Sequence, residues 1–188
     1  MARRRRNPTK PNVMLIAIAV GVGVALLTRK ASAMGGATVL AILGGLTKNL
    51  NADQAVNAQI IAEEFSAAGL HKRIGAAAIV NAWHESGLRA GAIGDSGHSV
   101  GLFQLHDKGG GHGLTVEFRA DPRNNTRTIL EREVLAKRGD KLRQRAADGA
   151  GVGELAAIFS RDIERPANVE GNMTKRKATA EAWFPAMA

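Results

Sequence analysis

Two carboxylates and the glycines around them are the part of this 188-residue chain best suited to chemistry. Glu85 lies near the end of the run Asn81-Ala82-Trp83-His84-Glu85-Ser86-Gly87-Leu88, which closes an otherwise apolar helical stretch. A glutamate there faces the negative end of the helix dipole, which disfavours its ionised form. Partial burial acts in the same direction. Together they favour a protonated carboxyl near neutral pH, the state a general acid requires. Asp95 follows in the segment Gly94-Asp95-Ser96-Gly97-His98-Ser99-Val100-Gly101-Leu102-Phe103-Gln104. A helix followed by a hairpin can fold this segment over the helix end and face Asp95 towards Glu85. Two carboxylates across a cleft are the apparatus of glycoside hydrolysis. Gly94, Gly97 and Gly101 let the backbone turn and offer N–H and C=O groups to a sugar. Gln104 adds an amide able to hydrogen-bond an acetamido group.

Each feature alone has an ordinary reading. A glutamate at a helix end is usually solvated surface, and a Gly-Asp pair is usually a turn. The order and spacing of the whole set make the case. Trp83 is about 200° around the helix from Glu85, so it packs on another face and reads as core. Asn81, one turn back, is the expected neighbour of Glu85. Phe103 reads equally as core or as a sugar platform. His84, His98, His106 and His112 crowd the same region, but their spacing matches no zinc-ligand pattern; no metal and no cofactor are expected. Gly109-Gly110-Gly111 is a loop rather than a phosphate cradle, because no Lys-Ser/Thr and helix start follow it.

The elements that must position these residues are mostly helical. Asn51 or Asp53 caps a helix running to about residue 68, with Val56, Ile60 and Phe65 on one face, and Gly69 ends it. A second helix spans about 72–86, with Ala76, Ile79, Val80 and Trp83 along it. Its Gly75-Ala76-Ala77-Ala78 stretch admits a close neighbour, and Gly87 stops it. Helical periodicity disappears between residues 90 and 113, where a short β-hairpin or extended loop fits 92–104. Helices resume at about 123–137, 152–163 and 174–183. Asp121-Pro122 starts the first of these, and Glu164-Arg165-Pro166 stops the second. The fold expected is mainly α, with a glycine-rich β lobe in its middle.

Composition describes a globular chain, 45% hydrophobic and 23% charged. The absence of cysteine excludes a disulfide scaffold and a thiolate zinc site. The net charge of +9 invites an anionic partner, but the charge is unevenly placed. Residues 1–50 hold eight basic residues and no acidic one, leaving 51–188 with 18 basic against 17 acidic. Arg3 to Arg6 and Lys10 precede the apolar run Val13 to Leu27, and Arg29 and Lys30 close it. Three readings compete for this head. Ala31-Ser32-Ala33 fits a cleaved secretory signal, although Arg29 and Lys30 immediately before it argue against cleavage. A buried core helix behind a solvated basic tail is the second. The favoured reading is an uncleaved anchor, with the excess of basic residues before the run keeping the N-terminus inside and the domain outside. It gives a basic tail over 1–12, a transmembrane helix over 13–28, an apolar glycine-containing linker or second membrane segment over 29–50, and the folded domain over 51–188. The arginine run could also touch nucleic-acid phosphates without sequence specificity, but the near-neutral domain does not support a nucleic-acid binder.

Glu85-Ser86 at a helix end, then Gly101-Leu102-Phe103-Gln104, with Gly94-Asp95 before that block, resembles the lysozyme-like superfamily. The likeness is to goose-type lysozymes and soluble lytic transglycosylases, and above all to the lysozyme-like domains of phage virion proteins. Asp121-Pro122-Arg123-Asn124-Asn125 looks like that family's entry to its next helix, and Glu164-Arg165-Pro166-Ala167 like a late motif of the phage group. The resemblance covers about residues 55–185. It implies a lysozyme-like α+β domain acting on peptidoglycan glycan strands at the β-1,4 bond between N-acetylmuramic acid and N-acetylglucosamine. Glu85 would be the acid and Asp95 the base, with Ser86, His98, Ser99, Gly101 and Gln104 as substrate-binding residues. With the anchor, it suggests a virion-associated lysin used in genome entry. Such a protein would sit in a virion or bacterial inner membrane through residues 13–28, with its domain on the outer, periplasmic side and other virion proteins as possible partners. Two alternatives stand beside this reading. One is a lytic transglycosylase, in which the sugar's own 6-hydroxyl attacks and forms a 1,6-anhydro end. The other is a non-catalytic virion membrane protein that forms a conduit and only grips peptidoglycan.

Overall fold

The computed structural model describes residues 33–188. The basic tail and the apolar run over 13–28 lie outside them, and among the described residues no helix is long and apolar enough to cross a membrane. Eight α-helices and one small antiparallel sheet make up the described part. Helix α1 is Ala33–Gly44, α2 is Ala52–Ala67 and α3 is Lys72–Ser86. Three two-residue strands follow, β1 (Ile93–Gly94), β2 (Ser99–Val100) and β3 (Leu105–His106), and then α4 (Val116–Ala120) and α5 (Pro122–Ile129). The chain finishes with α6 (Asp140–Ala147), α7 (Val152–Ile158) and α8 (Val169–Trp183).

Local sequence explains most boundaries. Asn51 and Gln54 form a reciprocal capping box at the start of α2. Asp121 caps α5 with Pro122 in its first turn. Gly87 closes α3 in the left-handed region at φ 65°. Helix α3 is the hub. It packs against α1, α2, α6, α7 and α8, and its residues from Ile74 to Ala82 are all buried, as expected for a helix apolar on every side. A Cβ at Gly75 would stand 2.7 Å from Ile42 Cδ1, so the small residue lets α1 lie close and seat Ile42, fully buried, in the core. Phe159 joins the layers: its ring lies 6.5 Å from Phe65 and 6.0 Å from Phe103. Phe103 is therefore core, with only 4% of its surface exposed.

Several particulars differ from the sequence reading. The inward face of α2 carries Asn57, Ala58, Ile61, Ala62, Glu64 and Phe65, whereas Val56 is 48% exposed. Glu64 can face inward because Arg123 and Arg127 of α5 both grip it. The expected hairpin over 92–104 is a three-stranded meander, β1-β2-β3, with Ile93 opposite Val100 and Ser99 opposite His106. The expected helices over 123–137 and 152–163 each change pitch. Helix α5 runs into a π-helical turn at Leu130–Val134, and α7 into one at Phe159–Glu164. Helix α8 begins five residues earlier than expected, capped by Asn168.

Candidate active site

Glu85 occupies the last turn of α3, one residue before the helix ends. Its neighbours come from the far end of the chain. Arg176 of α8 donates from Nη2 to Glu85 Oε1, and the same nitrogen lies 2.9 Å from Glu164 Oε2. Arg176 is held in turn by Asn172, which accepts from its Nη1 at 2.8 Å. The Arg176 side chain is 2% exposed and that of Glu164 6%, whereas Glu85 keeps 24%. Glu85 is thus the solvent-facing member of an otherwise buried cluster. Asn81, the neighbour expected from helix spacing, turns away: its amide donates to the carbonyls of Ala77 and Ala156.

Burial raises the Glu85 pKa above its ordinary value, opposed by the charge of Arg176 and by hydrogen bonds from Glu164 and Arg176, and reinforced by the negative charge of Asp95. Burial is the largest influence and the net direction is upward. Glu164 is raised much further, first by burial and then by the charge of Glu85. The upward direction at Glu85 thus comes mainly from desolvation, working against a buried arginine.

Asp95 sits in a tight turn, Asp95–Gly97, between β1 and β2. Both Asp95 and Ser96 adopt positive φ, 47° and 55°, a conformation costly for non-glycine residues and typical of functional sites. Ser99 Oγ donates to Asp95 Oδ2 at 2.5 Å and fixes the carboxylate's orientation. Asp95 is exposed, and its charge acts on Glu85, so the meander brings the two carboxylates within electrostatic reach of each other.

Several of the other residues singled out from sequence brace the lobe against the end of α3. Ser86 Oγ lies 2.9 Å from the carbonyl oxygens of Ala82 and Leu102, tying the end of α3 to the lobe. Gln104 donates from Nε2 to the carbonyls of Ala92 and Gly101. Gly101 has φ 89°, and a Cβ there would collide with the Arg119 carbonyl and the Asn125 amide. Asn125 donates to the carbonyls of Val100 and Arg119 and accepts from the Phe103 N–H. Buried Arg119 donates to the carbonyls of His98 and Leu105. Neither Asn125 nor Arg119 stands out in the sequence as a lobe clamp. His98 is exposed, its ring stacked on His106 and its Nδ1 2.8 Å from Asp107; this hydrogen bond lowers the Asp107 pKa. Among the described residues no group of three or more His, Asp or Glu converges as a metal site.

A helical domain with a small β lobe, carrying a shielded acid on the helix end and a second carboxylate on the lobe, has the layout of a glycan-cleaving enzyme. The chain belongs to the phage tail lysozyme family, whose model matches residues 56–187. Membership implies peptidoglycan-degrading activity. Comparison with curated proteins gives no match.

Proposed function

We propose that the protein is a membrane-anchored peptidoglycan glycosidase that cleaves the β-1,4 bond between N-acetylmuramic acid and N-acetylglucosamine. Glu85 is the general acid and Asp95 the base. The observation that carries this reading is the placement of Glu85: shielded enough for burial to raise its pKa, open enough to reach a glycan, and within electrostatic reach of a lobe carboxylate. Glu85 delivers its proton to the glycosidic oxygen as the C1–O bond breaks. Asp95, oriented by Ser99, takes a proton from the water that attacks C1. His98 is the exposed lobe residue offered to the sugar, while Ser99, Gly101, Ser86 and Gln104 hold the lobe's shape.

The family match and the basic, apolar head support a virion-associated lysin that opens the cell wall at genome entry. Residues 13–28 would hold the bilayer, and the domain would face the periplasm. The test is Glu85→Gln. The variant should still bind purified peptidoglycan and lose its degradation, whereas unchanged degradation would remove Glu85 from the mechanism. Mass analysis of muropeptides from the unmodified chain should show reducing ends. Anhydro ends would replace hydrolysis by transglycosylation and free Asp95 from its assigned role.

A further inference from the structure

Glu164 is not needed by the mechanism above, yet it is the most deeply buried carboxyl beside Glu85. Its position is built with some care. Helix α7 widens into the π-helical turn Phe159–Glu164, Arg165 then takes φ 56°, and Pro166 ends the segment. Inserted π turns and left-handed non-glycine residues are both costly and recur at functional sites. The outcome is a carboxyl set against Arg176 Nη2, the nitrogen that also holds Glu85.

Hydrogen-bond accounting then constrains the proton. Neither buried oxygen of Glu164 accepts a well-aligned hydrogen bond, although Arg176 Nη2 lies 2.9 Å from its Oε2. Two ionised carboxylates have no donor between them, and a hydrogen bond between carboxyls requires that one be protonated. One guanidinium between two carboxylates also leaves a net negative charge in a buried site, whereas one retained proton makes the cluster neutral. We propose that Glu164 is a positioning residue that shares a single proton with Glu85, so that the acid of the reaction is a carboxyl pair clasped by Arg176. This rests on Glu85 being the acid. In the resting state the proton lies between the two carboxyls. In the acid step it leaves from Glu85: the Glu85 O–H bond breaks and an O–H bond forms on the leaving oxygen. Both carboxylates are then ionised against Arg176, and the pair regains one proton from solvent before the next turnover.

The charged groups facing the pair are Arg176 from α8 and Asp95 from the lobe. His84, next to Glu85 on α3, pairs instead with Thr179, and burial, then Arg176 and Lys175, lower its pKa. Glu164→Gln removes the shared proton and the like charge, and its amide can donate to the Glu85 carboxylate. The expected result is that the basic limb of the kcat/KM–pH profile moves down by about one pH unit or more. If kcat falls at every pH while the limb stays in place, Glu164 is only a structural support and the proposal fails. Infrared difference spectroscopy on the full chain supplies a readout independent of turnover. Near neutral pH the unmodified protein should show the C=O stretch of a protonated buried carboxyl, and Glu164→Gln should lose it. Absence of that band in the unmodified protein overturns the proposal even if the variant does not fold. If the band is present but Glu85→Gln still degrades peptidoglycan, the pair exists and the assignment of Glu85 as acid is what fails.

Discussion

At Glu85, burial outweighs the pull of a guanidinium already bonded to it and raises the pKa. The same guanidinium holds the carboxyl in place, so in the proposed mechanism the proton is offered from one position. Asp95 is prepared differently, exposed in solvent but oriented by Ser99. Asp95→Asn keeps an acceptor for Ser99 and removes the base, so hydrolysis should fall by about 10²–10⁴-fold with the melting temperature little changed. Rates of muropeptide release alongside a thermal melt check this, and full activity would exclude Asp95. At Arg176 the expectation reverses. Arg176→Met leaves two buried carboxyls without a cation, and such losses cost about 3–5 kcal/mol. Chemical denaturation should show a large loss of stability, partly recovered at acid pH where both carboxyls are protonated.

At the scale of elements, the lobe is held by a few polar side chains as well as by its share of the core. Val100, Leu102, Phe103 and Leu105 anchor it in the core, and because two-residue strands share few ladder bonds, Asn125 and Arg119 hold the meander through backbone carbonyls. Gly101→Ala meets both a positive φ and the atoms of those clamps. It should destabilise by about 1–3 kcal/mol and loosen the turn that carries Asp95. Hydrogen exchange should show faster exchange at Gly101 and Phe103 N–H than in α3; equal protection would mean the lobe is held by something else. Helix α1 is the second case. Ile42 is fully buried against α2 and α3 although it precedes the matched family segment. Ile42→Ala should cost about 2–5 kcal/mol, measured by denaturant unfolding, and a cost near zero would make α1 an appendage.

Across the whole molecule, the buried acid couples stability to pH. Glu164 has its folded pKa raised above the ordinary 4.5, so the native state keeps a proton that the unfolded chain releases. The stabilisation is full below that ordinary value and lost as pH rises through the folded one; Glu85 acts in the same direction. His71 and His84, with lowered pKa values, act oppositely, since their contribution is lost as pH falls below the ordinary 6.5. Comparing Glu164→Gln with the unmodified chain cancels the histidines. The gain in melting temperature of the variant over the unmodified protein should grow as pH rises from about 5 to about 8. A constant difference would mean Glu164 does not titrate with folding.

The sequence by itself determined what is local. Asn51, Asp121-Pro122 and Gly87 mark helix ends because caps and left-handed turns use neighbouring atoms, and Glu85 and Asp95 were legible because their order and the glycines between them are contiguous in the chain. It could not place Val56 and Ile60, since which face of α2 turns inward depends on Arg123 and Arg127 neutralising Glu64 from another helix. Nor did it reveal the cluster behind Glu85. Glu164 stood in a motif read as a helix stop, and Arg176 lay unmarked inside a helix, 91 residues from its partner. Only tertiary packing, by bringing two carboxyls to one buried guanidinium, decided which carboxyl stays partly open to solvent and which is buried behind it.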